Sequence, residues 1–129
     1  MKKIGIVGQG FVGTALYEGL KSYFKIETYD IAKTSTCESL ADLSEKSDVI
    51  FVCLPTPMKK DGSCHIDIVE STLFGLDVID GCKTIVVKST IPPGTTEKWN
   101  SLFTNIQIVF NPEFLTEANS VEDFKNQNR

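Results

Sequence analysis

The feature that most constrains this chain is Gly8-Gln9-Gly10-Phe11-Val12-Gly13, a G-x-G-x-x-G placed directly behind an apolar strand pattern over 3–7. It stands ahead of Val12, Ala15, Leu16, Leu20 and Tyr23 at helical spacing. The motif alone is weak; between a strand and a helix it is the context a dinucleotide loop requires. Gly8 is expected to allow the tight turn, Gly10 to let the backbone come close to a pyrophosphate, and Gly13 to let the helix pack on the strand. The helix start, with the backbone of Phe11 and Val12, would offer N–H groups and partial positive charge to the phosphates.

A second strand pattern over 24–29 ends at Asp30, which lies 17 residues after Gly13. A carboxylate there can accept hydrogen bonds from the adenosine ribose and repels a 2′-phosphate. With no arginine nearby to reverse that preference, the expected cofactor is NAD rather than NADP. Lys33 could approach the adenosine side, although a solvated lysine is the simpler reading. The bland alternative for the whole loop is a tight strand–helix turn with Asp30 at a strand end by coincidence.

The remaining chain alternates in the same way. Residues 31–47 are polar, with a short helix expected near 38–43. The run 49–54 is continuously apolar, as in strands covered on both faces. Ile66, Val69, Leu73, Leu76 and Ile79 form a helical stripe, and strands at 83–90 and 106–110 flank a helix at 95–103. The pattern predicts one α/β domain over 1–129, a doubly wound, Rossmann-type parallel sheet of five strands with helices on both faces. Against the six-stranded order 3-2-1-4-5-6, it suggests a sheet that stops one strand short and leaves an apolar edge. Such an edge predicts a tendency to form a homo-oligomer or aggregate, unless the tail after Glu117 covers it.

Composition narrows the partners. A net charge of −4 argues against nucleic acid and against acidic membrane surfaces. No run approaches the ~18 apolar residues of a membrane span. Cys37, Cys53, Cys64 and Cys82 contain no C-x-x-C, which fits a reduced, cytoplasmic chain better than a disulfide framework. Cys64-His65 is the one Cys–His pairing, and adjacent residues rarely make a metal site; none is expected.

Three further segments each close a strand pattern: Leu54-Pro55-Thr56-Pro57, Lys88-Ser89-Thr90-Ile91-Pro92-Pro93-Gly94-Thr95-Thr96 and Asn111-Pro112-Glu113-Phe114-Leu115. In a parallel sheet all three reach the carboxyl edge, where ligands bind. With the glycine loop, their order and spacing resemble the N-terminal domain of the UDP-glucose/GDP-mannose dehydrogenase family across essentially the whole chain. The resemblance implies NAD-dependent, four-electron oxidation of a sugar primary alcohol to a carboxylate through a cysteine-bound stage. It implies that Thr90 helps hold an active-site water, that Glu113 orients or deprotonates water in the hydrolytic step, that Glu117 lies near the nicotinamide end, and that Thr56 contacts the cofactor. By the same likeness Thr90 and Glu117 belong to both catalytic and cofactor sets. UDP-glucose is the nearest substrate match, with UDP-N-acetylmannosamine and GDP-mannose open.

The chemistry is consistent: attack of water on a thioester needs a proton acceptor within hydrogen-bond reach. Glu113 and Glu117, four apart, share a face on a helical turn. Glu117 also reads simply as a helix-start acid, and Thr90 as a hydroxyl capping the Pro-Pro-Gly turn. The family's nucleophilic cysteine and its central helical segment have no counterpart in these residues. The expectation is therefore a chain that binds NAD without turning over a nucleotide sugar. The alternatives are a stand-alone NAD-binding, redox-sensing module and a β-hydroxyacid type of dehydrogenase; neither has a use for Asn-Pro-Glu-Phe-Leu.

Overall fold

The computed structural model describes residues 3–30, 35–54, 60, 66–79, 81, 84–89, 91–92 and 94–111. In chain order the elements are β1 (Lys3–Val7), α1 (Phe11–Leu20), β2 (Lys25–Tyr29), α2 (Leu40–Lys46), β3 (Val49–Val52), α3 (Asp67–Val78), β4 (Thr84–Val87), α4 (Thr95–Leu102) and β5 (Gln107–Phe110). The strands form one parallel sheet in the order β2-β1-β3-β4-β5. From β1 the chain steps one way to β2, then back past β1 to β3 and onward. Right-handed crossovers therefore put α1 on one face and α2, α3 and α4 on the other.

The strand sequences follow from that placement. On β1, Ile4 and Ile6 point to the α1 side, where they pack with Leu16, Cys53 and the partly buried Val12, Tyr17, Leu20 and Phe51. Val7, Ile50, Val52, Ile85, Val87 and Ile108 point to the opposite face and meet Leu43, Val69, Leu73, Leu76 and Trp99. Full burial of each such side chain contributes roughly 1.5–3 kcal/mol. Trp99 is completely buried, and its indole N–H donates to Glu70 Oε2 at 2.9 Å, fastening α4 to α3.

The five-stranded Rossmann-type sheet, with helices on both faces, is as the periodicity predicts, and three details differ. First, the strand order is the shorter doubly wound one, 2-1-3-4-5. Among the described residues, the strand lacking from the six-stranded order would lie outside β2, between β2 and β3 in the sequence. The polar stretch after β2 has no strand-length apolar run to supply it. Second, α2 starts at Leu40, because the Ser39 side chain caps it by accepting from the Asp42 N–H at 3.1 Å. Third, Tyr23 does not continue the α1 stripe. The helix ends at Leu20, Tyr23 is 71% exposed, and Phe24 takes the place against the α1-side core.

The outer edges are not bare. On β2, the Thr28 N–H donates to Thr36 Oγ1 at 2.8 Å, and the Cys37 N–H donates to the Thr28 carbonyl at 2.9 Å. On β5, the Asn100 carboxamide accepts from the Ile108 N–H at 2.8 Å and donates to its carbonyl at 2.9 Å. A side chain of α4 thus occupies two of the backbone groups that a further strand beside β5 would use. Association through this part of β5 has to displace Asn100 first.

Asn100→Leu leaves Ile108 without these partners. It is expected to cost about 1–3 kcal/mol in urea unfolding and to raise self-association in sedimentation velocity. Unchanged sedimentation at high concentration would show that the edge is guarded by something else.

Candidate functional site

Because all the strands are parallel, their carboxyl ends lie along one edge, and the ladder runs one residue beyond each. The Gly8 N–H donates to the Tyr29 carbonyl at 2.9 Å, Cys53 to Val7 at 2.8 Å, Lys88 to Val52 at 2.9 Å and Asn111 to Val87 at 3.0 Å. These residues form a row, with the helices departing to opposite faces on either side of β1. The switch of direction between β1 and β3 opens a crevice there, the ligand position in open α/β sheets.

The glycine loop sits on that crevice, and each glycine answers a different demand. Gly8 has φ +95°, a left-handed conformation costly for other residues, and a Cβ there would lie 2.6 Å from the Cys53 carbonyl oxygen of the neighbouring strand end. A Cβ on Gly13 would run into the carbonyl oxygen of Gly8, so the first turn of α1 rests directly on the end of β1. A Cβ on Gly10 would meet nothing within 4 Å. Packing therefore explains Gly8 and Gly13 but not Gly10, whose bare backbone faces room for another molecule.

Gly10 is also the N-cap of α1, with no side-chain cap. The helix's own ladder begins when the Thr14 N–H reaches the Gly10 carbonyl at 2.9 Å. The N–H groups of Phe11, Val12 and Gly13 precede it and have no partner within the helix. The half-buried Val12 side chain packs in the α1-side core, so its contribution to a ligand would come from the backbone.

Asp30 follows β2 and is half-buried. Its Oδ2 accepts from the Gln9 N–H at 2.7 Å, which joins the carboxylate at the end of β2 to the neighbouring loop. The sequence places Asp30 and the loop 17 residues apart; the fold joins them by a hydrogen bond.

Two residues with no assigned role also belong to this edge. Ser89 Oγ donates to the Leu54 carbonyl at 2.6 Å and ties the end of β4 to that of β3, immediately before Thr90. Lys88 is buried beside it. Their membership of the Lys-Ser-Thr segment was the only signal in the sequence. Lys33, Thr56, Thr90, Glu113 and Glu117 lie outside the described residues, as do Cys64, His65 and Cys82. Cys37 and Cys53 are buried thiols, and burial pushes the Cys37 thiol above its usual range, so neither is presented as a nucleophile. Among the described residues no helix is long and apolar enough to cross a membrane.

Residues 18–129 match the model of the UDP-glucose/GDP-mannose dehydrogenase family, NAD binding domain. The chain is 31% identical over 127 residues to a UDP-glucose 6-dehydrogenase of Pseudomonas aeruginosa, covering 88% of this chain and 28% of that enzyme. Its fold is similar to a GDP-mannose dehydrogenase of P. aeruginosa, with TM-score 0.80 and 22% identity over 94% of this chain and 38% of the other. It is likewise similar to a UDP-glucose dehydrogenase of Pyrobaculum islandicum, with TM-score 0.79 and 24% identity over 96% of this chain and 38% of the other. The chain spans 18–29% of the length of three curated relatives it matches.

The glycine geometry separates folding from binding. In open helix, Gly13→Ala would gain about 0.5–1 kcal/mol. Here the collision with Gly8 dominates, and a loss of about 1–3 kcal/mol or more is expected. Gly10→Ala should change thermal stability by no more than about 1 kcal/mol while weakening NAD binding at least roughly tenfold. Calorimetric melting and NAD titration of both variants check this pair of outcomes.

Proposed function

The chain belongs to the UDP-glucose/GDP-mannose dehydrogenase family as its NAD-binding domain, and we propose that it holds NAD with the pyrophosphate over Gly10 and the adenosine ribose on Asp30. The observation that carries this reading is the pairing of an open Cβ direction at Gly10 with an α1 N-terminus that has no side-chain cap. Gly8, Gly10 and Gly13 shape the turn, and the backbone of Phe11, Val12 and Gly13 supplies donors and partial positive charge to the phosphates. A carboxylate accepts a ribose hydroxyl in a charge-assisted bond worth about 1.5–3 kcal/mol and opposes a phosphate at the same place. Lys33 and Thr56 are proposed as further cofactor contacts on resemblance alone.

Within the longer protein that such relatives represent, the proposed reaction is oxidation of UDP-glucose to UDP-glucuronate with two equivalents of NAD. Bound NAD supplies the hydride acceptor. Thr90 is proposed to hold a water, Glu113 to accept its proton as it attacks a thioester, and Glu117 to stand near the nicotinamide. The row of strand ends supports the Thr90 assignment, because Ser89, its neighbour, is fixed at the carboxyl edge beside the crevice. The thioester needs an accessible thiolate; among the described residues Cys37 and Cys53 are buried, and by the family likeness no cysteine of residues 1–129 matches the nucleophile. Residues 1–129 alone are therefore expected to bind NAD without sustained turnover.

Isothermal titration with NAD and NADP tests the cofactor reading. At least a roughly tenfold preference for NAD is expected, with Asp30→Ala weakening NAD by about tenfold or more, the effect of losing ~1.4 kcal/mol or more. Equal binding of both dinucleotides would remove Asp30 from the ribose site. Continuous NADH formation by the 129-residue chain with NAD and UDP-glucose would overturn the assignment of turnover to a longer protein.

A further inference from the structure

We infer that Asp30 is a positioning residue for the phosphate loop as well as a ribose acceptor: its carboxylate holds the Gly8–Gly10 turn in binding form before any dinucleotide arrives. The inference rests on the NAD reading above and concerns what the same carboxylate does without ligand.

The turn is held at successive atoms. The Gly8 N–H is bound to the Tyr29 carbonyl, and the next N–H, that of Gln9, is bound to Asp30 Oδ2 at 2.7 Å. From the other side, Thr14 Oγ1 in the first turn of α1 donates to the Gln9 carbonyl at 3.2 Å. Residue 9 is therefore gripped through both its backbone donor and its backbone acceptor, by side chains from β2's end and from α1. Of these bonds, that to Asp30 is the short, charge-assisted one. Gly8 at positive φ and Gly10 without a Cβ are the most permissive backbone positions in the loop, and residue 9 lies between them. Fixing residue 9 removes much of the freedom the turn would otherwise lose on binding. Preorganisation of this kind raises affinity without adding a contact to the ligand.

Two effects of the carboxylate oppose each other for an anion. As a tether it favours a phosphate by keeping the amides in place. As a negative charge close to the loop it disfavours one. Substitution separates them. Asp30→Asn keeps an oxygen that can accept from Gln9 and removes the charge; Asp30→Ala removes both.

The probe is inorganic pyrophosphate without magnesium, which has no ribose, titrated into the 129-residue chain and followed by amide NMR shifts. With the tether, Asp30→Ala binds pyrophosphate at least about threefold more weakly than wild type, while Asp30→Asn binds it as well or better. Without ligand, hydrogen exchange at the Gln9 and Gly10 amides accelerates at least about tenfold in Asp30→Ala and stays near wild type in Asp30→Asn. Buried Trp99 reports by its fluorescence that each variant is folded. If Asp30→Ala binds pyrophosphate as tightly as wild type, or its loop amides exchange at the wild-type rate, the positioning role is wrong. A wild-type chain that shows both tether effects but takes no NAD would refute the dinucleotide reading and leave the tether standing.

Discussion

The structure depends on the contact between Gly13 and the carbonyl of Gly8. It brings the first turn of α1 against the end of β1 with no side chain between them. That closeness sets the direction in which α1 leaves the sheet, and so aims its N-terminus along the carboxyl edge. It also requires Gly8 to turn through a left-handed conformation, since a wider turn would carry the helix away from Ile4 and Ile6. Core packing and ligand geometry are here one constraint: the helix that covers the α1 face is the helix that presents the amides.

Asp30 completes the arrangement from the neighbouring strand. Parallel pairing of β1 with β2 in the register Val7–Tyr29 brings the next residue of each strand, Gly8 and Asp30, side by side. The register is fixed by burial, because a slip of one residue would turn Ile4 and Ile6 away from α1. The acidic group therefore reaches the loop through the same hydrophobic pattern that builds the sheet, and needs no dedicated loop of its own.

Much of this was readable in the amino-acid order because the information is local. Apolar runs and helical stripes locate the strands and helices to within a few residues, and the three glycines carry their demands on their own positions. The strand order was harder to read, because it depends on what the polar stretch after β2 does not contain. The edge contacts were out of reach: nothing in the sequence around Asn100 says that it will pair with Ile108, eight positions away, or that Thr36 will meet Thr28. Both depend on the distance at which a helix or loop is finally packed. Ser89 was similarly silent, since its bond to Leu54 joins positions 35 residues apart.

Those edge contacts occupy outward backbone groups at both margins of the described sheet. A parallel sheet has no intrinsic reason to stop, since every strand it acquires exposes the same pattern of donors and acceptors to the next. Among the described residues both margins are met by impersonation, with an amide side chain standing in for a peptide beside β5 and a hydroxyl beside β2. Those two polar residues stand apart from the hydrophobic code that specifies the strands. The margin at β5 is separated from the crevice by β4 and β3, so a change at Asn100 alters that margin and leaves the crevice untouched.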